Sequence, residues 1–439
     1  MKKWLIAFLL IILSAAWTWA QDRPQPVDAN EQKLVVNAIA DVLAKQYVYP
    51  DTARKMGDLI RKNLKAGRYA PLDDPIAFAA KLTEDLRSVS RDRHLGVRFA
   101  PERILEMKTP DEAKRKAADE RERKAARLEN HGFKEVKILS GNVGYLKFNQ
   151  FSSAQEAFPV AVGAMAFLAN CDALIIDLRE NGGGSPEMIQ LLSSYFFSGE
   201  PRHLNSFYYR MDEKTEQYWT QPYVPGAKLA DTDLYVLTSG YTFSGAEEFT
   251  YNLKNMKRAT IIGETTGGGA HPVRIEVLND HFAIGVPYAR AVNPISKTNW
   301  EGTGVEPDVK VPAAQALAQA HLLALEKLAA KEKDPGVKGT YQWALDGIKA
   351  ELNPGTVAAE RRESYVGNYG PRKITLENGI LFYQREKRPK MKMLPMSENY
   401  FAFVEAPDFR LKIVIKEGRV AGIEGHYEDG TVDFSPRLN

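Results

Sequence analysis

The feature that most restricts this chain is a change of hydrophobic period at residue 143. From there, "VGYLKFNQF", "ALIIDLR", "LYVLTS" and "ATIIGE" are short runs rich in Val, Ile, Leu and Tyr, separated by the helical stretches "PVAVGAMAFLA", "EMIQLLSSYFF" and "AEEFTYNLKN". Strands alternating with helices predict a sheet covered by helices, an α/β (α+β) fold. Upstream, from Glu31 to Val89, apolar residues recur at spacings of three and four, which predicts a small bundle of amphipathic helices, an N-terminal cap over residues 30–100. A connector over 101–135 follows, dominated by "MKTPDEAKRKAADERERKAARLEN", whose opposite charges pair along a solvated helix. The main domain is expected over 136–335, closed by a helix from Ala313 to Glu332, and "KDPG" breaks the chain before a linker helix in 336–356. The tail, 357–439, carries short strands punctuated by Asn-Gly, Glu-Gly and Asp-Gly, the signature of hairpins in a separate, small C-terminal all-β module.

With 439 residues, 44% hydrophobic, the chain is long enough for two or three domains. Its 59 Lys and Arg against 56 Asp and Glu leave +3, which gives no basis for a nucleic-acid partner. The opening "MKKWLIAFLLIILSAAWTWAQD" has two lysines, an apolar run from Trp4 to Trp17 and a small-residue exit, the layout of a secretory signal (residues 1–20) cleaved after Ala20. That run is shorter than the ~20 residues a spanning helix needs, so no stable membrane span is expected after cleavage, and the protein is expected to be secreted or periplasmic. Gln21 follows the cut and offers no thiol for a lipid, and the lone Cys171 is expected to be a small buried hydrophobe without a disulfide.

Chemistry concentrates in a few loops. In "LYVLTSGYTFSGAEEF", strand, turn and helix place Ser244 at a helix N-terminus. It is there either as a nucleophile or as an N-cap, with Glu247 three residues on as in a capping box. A serine nucleophile needs a base and oxyanion donors. "LIIDLRENGGGSPE" ends a strand in glycines whose amides could hold an anion, but it lacks the spacing and lysine of a phosphate loop. Gly245 with Gly183 is the expected oxyanion hole. Of the seven histidines, His94 in "SVSRDRHLGVRF" stands where a helix gives way to a strand, His271 in "TTGGGAHP" is the second candidate base, and the other five read as structural. Glu301 in "NWEGTGVEPD" could orient the imidazole. Neither the histidines nor the cysteine have metal-ligand spacing, so no metal and no cofactor is expected.

Taken in order, "DRHLGV", "GYLKFNQF", "LIIDLRENGGG", "TSGYTFSGAEEF", "IIGETTGGG" and "EGTGVEPDV" resemble the tail-specific protease and tricorn-core family of serine peptidases, in the branch similar to interphotoreceptor retinoid-binding protein, over residues 30–312. The resemblance implies a crotonase-like spiral of ββα units as catalytic core, a peptide or protein substrate, and Ser244, His94 and Glu301 as catalytic residues. In the tail-specific branch a lysine in a "GEKTFGKG" type loop is the base. Here Gly269 falls at its position, which argues against a Ser-Lys dyad. The tricorn-like branch uses a histidine and a glutamate in "E-x-x-G-V-x-P-D", matched by Glu301, Gly304, Val305, Pro307 and Asp308. Two departures stand out: Arg93 precedes the histidine where that branch has a small residue, and no PDZ module separates His94 from Gly141. The tail resembles the small β-module of some periplasmic serine hydrolases and is assigned no chemistry. Two competing functions use the same fold, a carrier of apolar ligands and an envelope scaffold. Neither accounts for Ser, His and Glu together with the glycine loops.

Overall fold

A computed structural model of the protein describes residues 25–109 and 112–438, so the expected signal segment lies outside the described residues. Helices α1 (Ala29–Gln46), α2 (Pro50–Lys65) and α3 (Pro75–Ser90) form the expected N-terminal bundle. The Asp28 and Asp74 carboxylates cap α1 and α3 by accepting the Glu31 and Ala77 N–H groups at 2.7 Å. Pro50 and Pro75 open α2 and α3 where no backbone donor is needed. The chain continues through β1 (Gly96–Phe99), α4 (Pro101–Lys108), α5 (Glu112–Leu128), β2 (Phe133–Leu139), β3 (Val143–Phe148), α6 (Ala157–Phe167), β4 (Ala173–Asp177), α7 (Pro186–Ser194), β5 (His203–Tyr209) and β6 (Lys214–Trp219). It goes on through β7 (Asp233–Thr238), α8 (Gly245–Asn255), β8 (Ala259–Gly263), β9 (Val273–Val277), β10 (Phe282–Pro287), β11 (Ala289–Val292), β12 (Val309–Lys310), α9 (Ala316–Lys331), α10 (Pro335–Leu352) and α11 (Ala359–Tyr365).

The central sheet has six strands in the order β12-β8-β7-β4-β3-β2, parallel except for the β2–β3 hairpin, so β2–β3–α6 is one ββα unit of the expected core. Strand residues alternate between two cores. Ile176, Val236 and Ile261 pack with Ile189, Leu192, Phe249 and Leu253 of α7 and α8, whereas Ile175, Tyr235, Leu237 and Ile262 pack with Ala320, Ala324 and Leu325 of α9 and Tyr341 of α10. Burying each larger side chain is worth ~1.5–3 kcal/mol, which explains why these strands are apolar throughout. Cys171 is buried as expected, and burial pushes its thiol up to about 11.

The register aligns the ends of three strands: Asp177 of β4 pairs with Leu237 of β7, and Thr238 with Gly263 of β8. The loops after β4, β7 and β8 therefore leave the sheet on one side, the carboxyl end where α/β proteins build sites. Against that side lies a three-stranded antiparallel sheet, order β1-β10-β9, whose Phe282, Ile284 and Val286 share the core of the N-terminal bundle. Helix α5, the charged connector, buries no residue. The tail opens with α11, which the all-β expectation for 357–439 did not include. It then forms antiparallel sheets of four and five strands around Tyr365, Tyr369, Phe401, Leu411 and Ile423. Two of its hairpin turns, Asn378-Gly379 and Glu417-Gly418, have both central residues at positive φ, as a two-residue turn between twisted strands requires.

Candidate active site

Ser244 is the N-cap of α8 and holds φ 53° and ψ −120°, a conformation that a non-glycine residue keeps only when its surroundings force it. The force comes from two sides. Glu247, in the first turn of α8, accepts the Ser244 N–H at 2.9 Å and, with the same carboxylate, the N–H groups of Gly268 and Gly269 and the Thr266 hydroxyl at 2.7, 2.8 and 2.5 Å. On the other side the glycine loop after β4 presses backbone against backbone, since a Cβ on Gly183 would lie 2.6 Å from Gly245 N and 2.8 Å from Ser244 Cβ. Glu247 thus acts as the cap partner expected and also clamps the 266–269 loop, four donors compensating a buried carboxylate whose pKa burial raises.

The two expected oxyanion donors differ. Gly245 N–H, at the first position of α8, has no acceptor among the described residues, whereas Gly183 N–H donates to Asn181 Oδ1 at 2.9 Å. The next amide, Gly184 N–H, has no acceptor among the described residues and lies 2.9 Å from where a Gly245 Cβ would be. The free amide of this loop is therefore one residue beyond the expected one. Asn181 supplies the reason, and its place two residues before Gly183 was a readable turn signal.

His94 lies in the turn after α3, fixed by Arg87, which donates to the carbonyls of Arg93 and Leu95 at 2.7 and 2.8 Å, and by Asp92 Oδ1, which accepts the His94 N–H at 3.0 Å. Its ring rests on Phe243, the residue before Ser244, with centroids 4.6 Å apart. Among the described residues Ser244 Oγ makes no hydrogen bond to it, and apo sites often close such bonds only on binding substrate. Burial pushes His94 down to about 4, so the imidazole is neutral at physiological pH and able to take a proton.

Behind His94 is a polar cluster. Donor atoms of Asp92, His94 and Glu301 lie within 4.8 Å of one another. His271 Nδ1 is 2.7 Å from Asp92 Oδ2 and 3.3 Å from Glu301 Oε2, and the Tyr47 hydroxyl donates to Asp92 Oδ2 at 3.3 Å. Glu301 Oε2 also accepts the Ala270 N–H at 2.6 Å, while Glu301 Oε1 and His94 Nδ1 are buried without a partner. Burial, then the charge of Asp92, pushes Glu301 up to about 7. The trio Asp92, His94 and Glu301 has the residue types to hold a cation, but both Asp92 oxygens already accept hydrogen bonds. His271, the second candidate base, has a side chain only 1% exposed and committed to Asp92, so it stands behind the site. Glu264 is a structural partner, accepting the Ala313 N–H at 2.9 Å. Asp92 was missed in the sequence because its partner His271 is 179 positions away.

Residues 142–311 match the family described as Peptidase family S41, and residues 29–130 match the N-terminal domain of Peptidase S41 in eukaryotic IRBP. The chain is similar to carboxyl-terminal-processing peptidase 2, chloroplastic, of Arabidopsis thaliana, at 29% identity over 39% of this chain and 32% of that protein. It is also similar to the tail-specific protease of Haemophilus influenzae, at 33% identity over 32% of this chain and 20% of that protein. It thus spans about a third or less of the length of these curated relatives. A photosystem II D1 C-terminal processing protease superposes with a TM-score of 0.43 at 17% identity, covering 64% of this chain and 93% of that one.

Proposed function

We propose that the chain, whose residues 142–311 match peptidase family S41 and 29–130 that family's N-terminal domain, hydrolyses peptide bonds through an acyl-enzyme on Ser244. Ser244 Oγ attacks the scissile carbonyl carbon as its proton passes to the His94 imidazole, and the carbonyl electrons move onto oxygen. The amides of Gly245 and Gly184 hold that oxyanion, each donor worth ~2.7–4 kcal/mol. Gly183, expected in this role, instead shapes the turn. The imidazolium gives its proton to the departing amine as the C–N bond breaks, and a water molecule then repeats the sequence on the ester with His94 as base. Glu301, once ionised, stabilises the imidazolium, and Asp92 with His271 and Tyr47 holds the cluster in place.

The observation that carries this reading is Ser244 itself, held in a strained conformation between two amides that lack acceptors. A helix cap needs neither. Hydrolysis of β-casein by the mature full-length protein tests it: wild type is expected to cleave, Ser244→Ala to lose all turnover while keeping its melting temperature, and His94→Ala to lose about 10²- to 10⁴-fold. Persistent cleavage by Ser244→Ala would sink the assignment. We also propose that residues 1–20 act as a leader, which would place this activity in the periplasm or outside the cell. No helix among the described residues is long and apolar enough to cross a membrane.

A further inference from the structure

The loop that carries the site, Thr266 to His271, runs directly into β9, and β9 is the outer strand of its sheet. The hydrogen bonds at its two ends define what that edge offers. Leu278 N–H donates to Phe282 O at 2.9 Å and Tyr288 N–H to Pro272 O at 3.1 Å, so residues 272, 274, 276 and 278 are the ones bonded to β10. Val273 lies opposite Pro287, which has no N–H to give, in keeping with that phase. The N–H and C=O groups of Val273, Ile275 and Val277 therefore point away from the sheet. Val273 and Ile275 are also 39% and 47% exposed.

The opposite edge of the same sheet is closed. There Thr83 Oγ1 of α3 accepts the Val97 N–H at 2.9 Å and donates to Val97 O at 3.3 Å, so a side chain occupies the outward backbone groups of β1. Folded proteins blunt exposed edges with lysine, proline, bulges or cover. On β9 the residues with outward backbone groups are all β-branched and none is charged or proline.

We propose that β9 is the substrate-binding edge, on which a polypeptide chain lies extended by backbone pairing to Val273, Ile275 and Val277. This rests on the peptidase reading above and deepens it, since it makes the substrate an unfolded or flexible segment recognised first by its main chain. Continuity with the site argues for this occupant. Gly269 faces the His94 ring and Ala270 N–H holds Glu301, and Val273 is four residues from Gly269, at most ~14 Å along the chain. A chain on the β9 edge thus has one end beside the catalytic groups, and side chains at every second position meet the exposed Val273 and Ile275.

The test uses the full mature chain, with β-casein as the unfolded polypeptide and a small fluorophosphonate as a probe that does not need the edge. Ile275→Pro removes one outward N–H and no bond to β10. Its kcat/KM for casein, relative to its own labelling rate, is expected to fall at least tenfold, mostly through KM, and an unchanged ratio would overturn the proposal. Should that variant fail to fold, hydrogen exchange of residues 272–278 in Ser244→Ala decides. Protection gained on adding casein supports the edge. No gain, or protection that grows with enzyme concentration in the absence of casein and so reports pairing between copies, overturns it. A wild type that neither labels nor cleaves would instead remove the peptidase reading.

Discussion

At the residue scale, Gly269 leaves the room that the His94 ring, proposed here as the base for Ser244, occupies. A Cβ there would lie 2.2 Å from Phe243 Cζ and 2.6 Å from His94 Cε1, so no lysine can enter where the tail-specific branch has one without evicting the imidazole. Gly269→Ala is accordingly expected to lower kcat/KM about 10²-fold through a displaced His94, with KM little changed. The pH dependence belongs to Glu301. With His94 held down at about 4 and Glu301 up at about 7, kcat/KM should rise with pH through about 7 as Glu301 ionises. An acid limb near 4 would mean that His94 alone sets the profile. Stability runs the opposite way. The folded state binds the Glu301 proton more tightly than the unfolded chain, whose carboxyl has the ordinary 4.5, so its contribution is full below 4.5 and lost as pH rises through about 7. Glu301→Gln should thus match wild type in stability at pH 4 and exceed it at pH 8 by on the order of 2 kcal/mol, measured by chemical denaturation. Ser244, His94 and Glu301 could be singled out as candidates because their motifs are local. Asp92 and the free amide of Gly184 could not, since each depends on which distant or neighbouring group claims a hydrogen bond.

At the element scale, the site is a junction of loops from aligned strand ends tied by one carboxylate. Glu247 was legible as a cap partner because N-cap and N3 are three residues apart, but its bonds to Thr266, Gly268 and Gly269 span 19 to 22 positions and depend on the register of β7 against β8. Glu247→Ala removes the acceptor for four donors and is expected to cost ~3 kcal/mol or more, along with most activity, measured by chemical denaturation and casein cleavage. Helix α5 is the contrast. It buries nothing, so replacing Glu120 with Gln or Lys124 with Gln should leave stability within about 0.5 kcal/mol. The helices flanking the central strands were readable to within a few residues because both cores impose a strict period. Strands β5, β6, β9, β10 and β11 were not: β6 and β9 are largely polar or exposed, and β10 and β11 take part of their pairing from β1 and β5, far off in the chain.

At the scale of the whole molecule, the N-terminal bundle, the central sheet and the tail have separate cores, yet the site draws on the first two: His94 and Asp92 come from the bundle side, and Ser244, Glu247 and Glu301 from the other. The tail is secured within itself by buried Arg372, which holds both oxygens of Asp433. Arg372→Ala is expected to add an early unfolding transition in calorimetry without changing casein cleavage, and coupled loss of both would show that the tail supports the site. The three-part division was legible from changes of period and hairpin signals. The meeting of bundle and sheet at one site was not, because contact between distant loops is a property of the fold. The central claim is an activated Ser244, and it is tested most directly by treating the mature protein with a fluorophosphonate and locating the adduct by peptide mass spectrometry. A single adduct on Ser244, formed about 10²- to 10⁴-fold more slowly in His94→Ala, is the predicted result. No adduct on correctly folded protein, or labelling of Ser244 that is indifferent to His94, would contradict it.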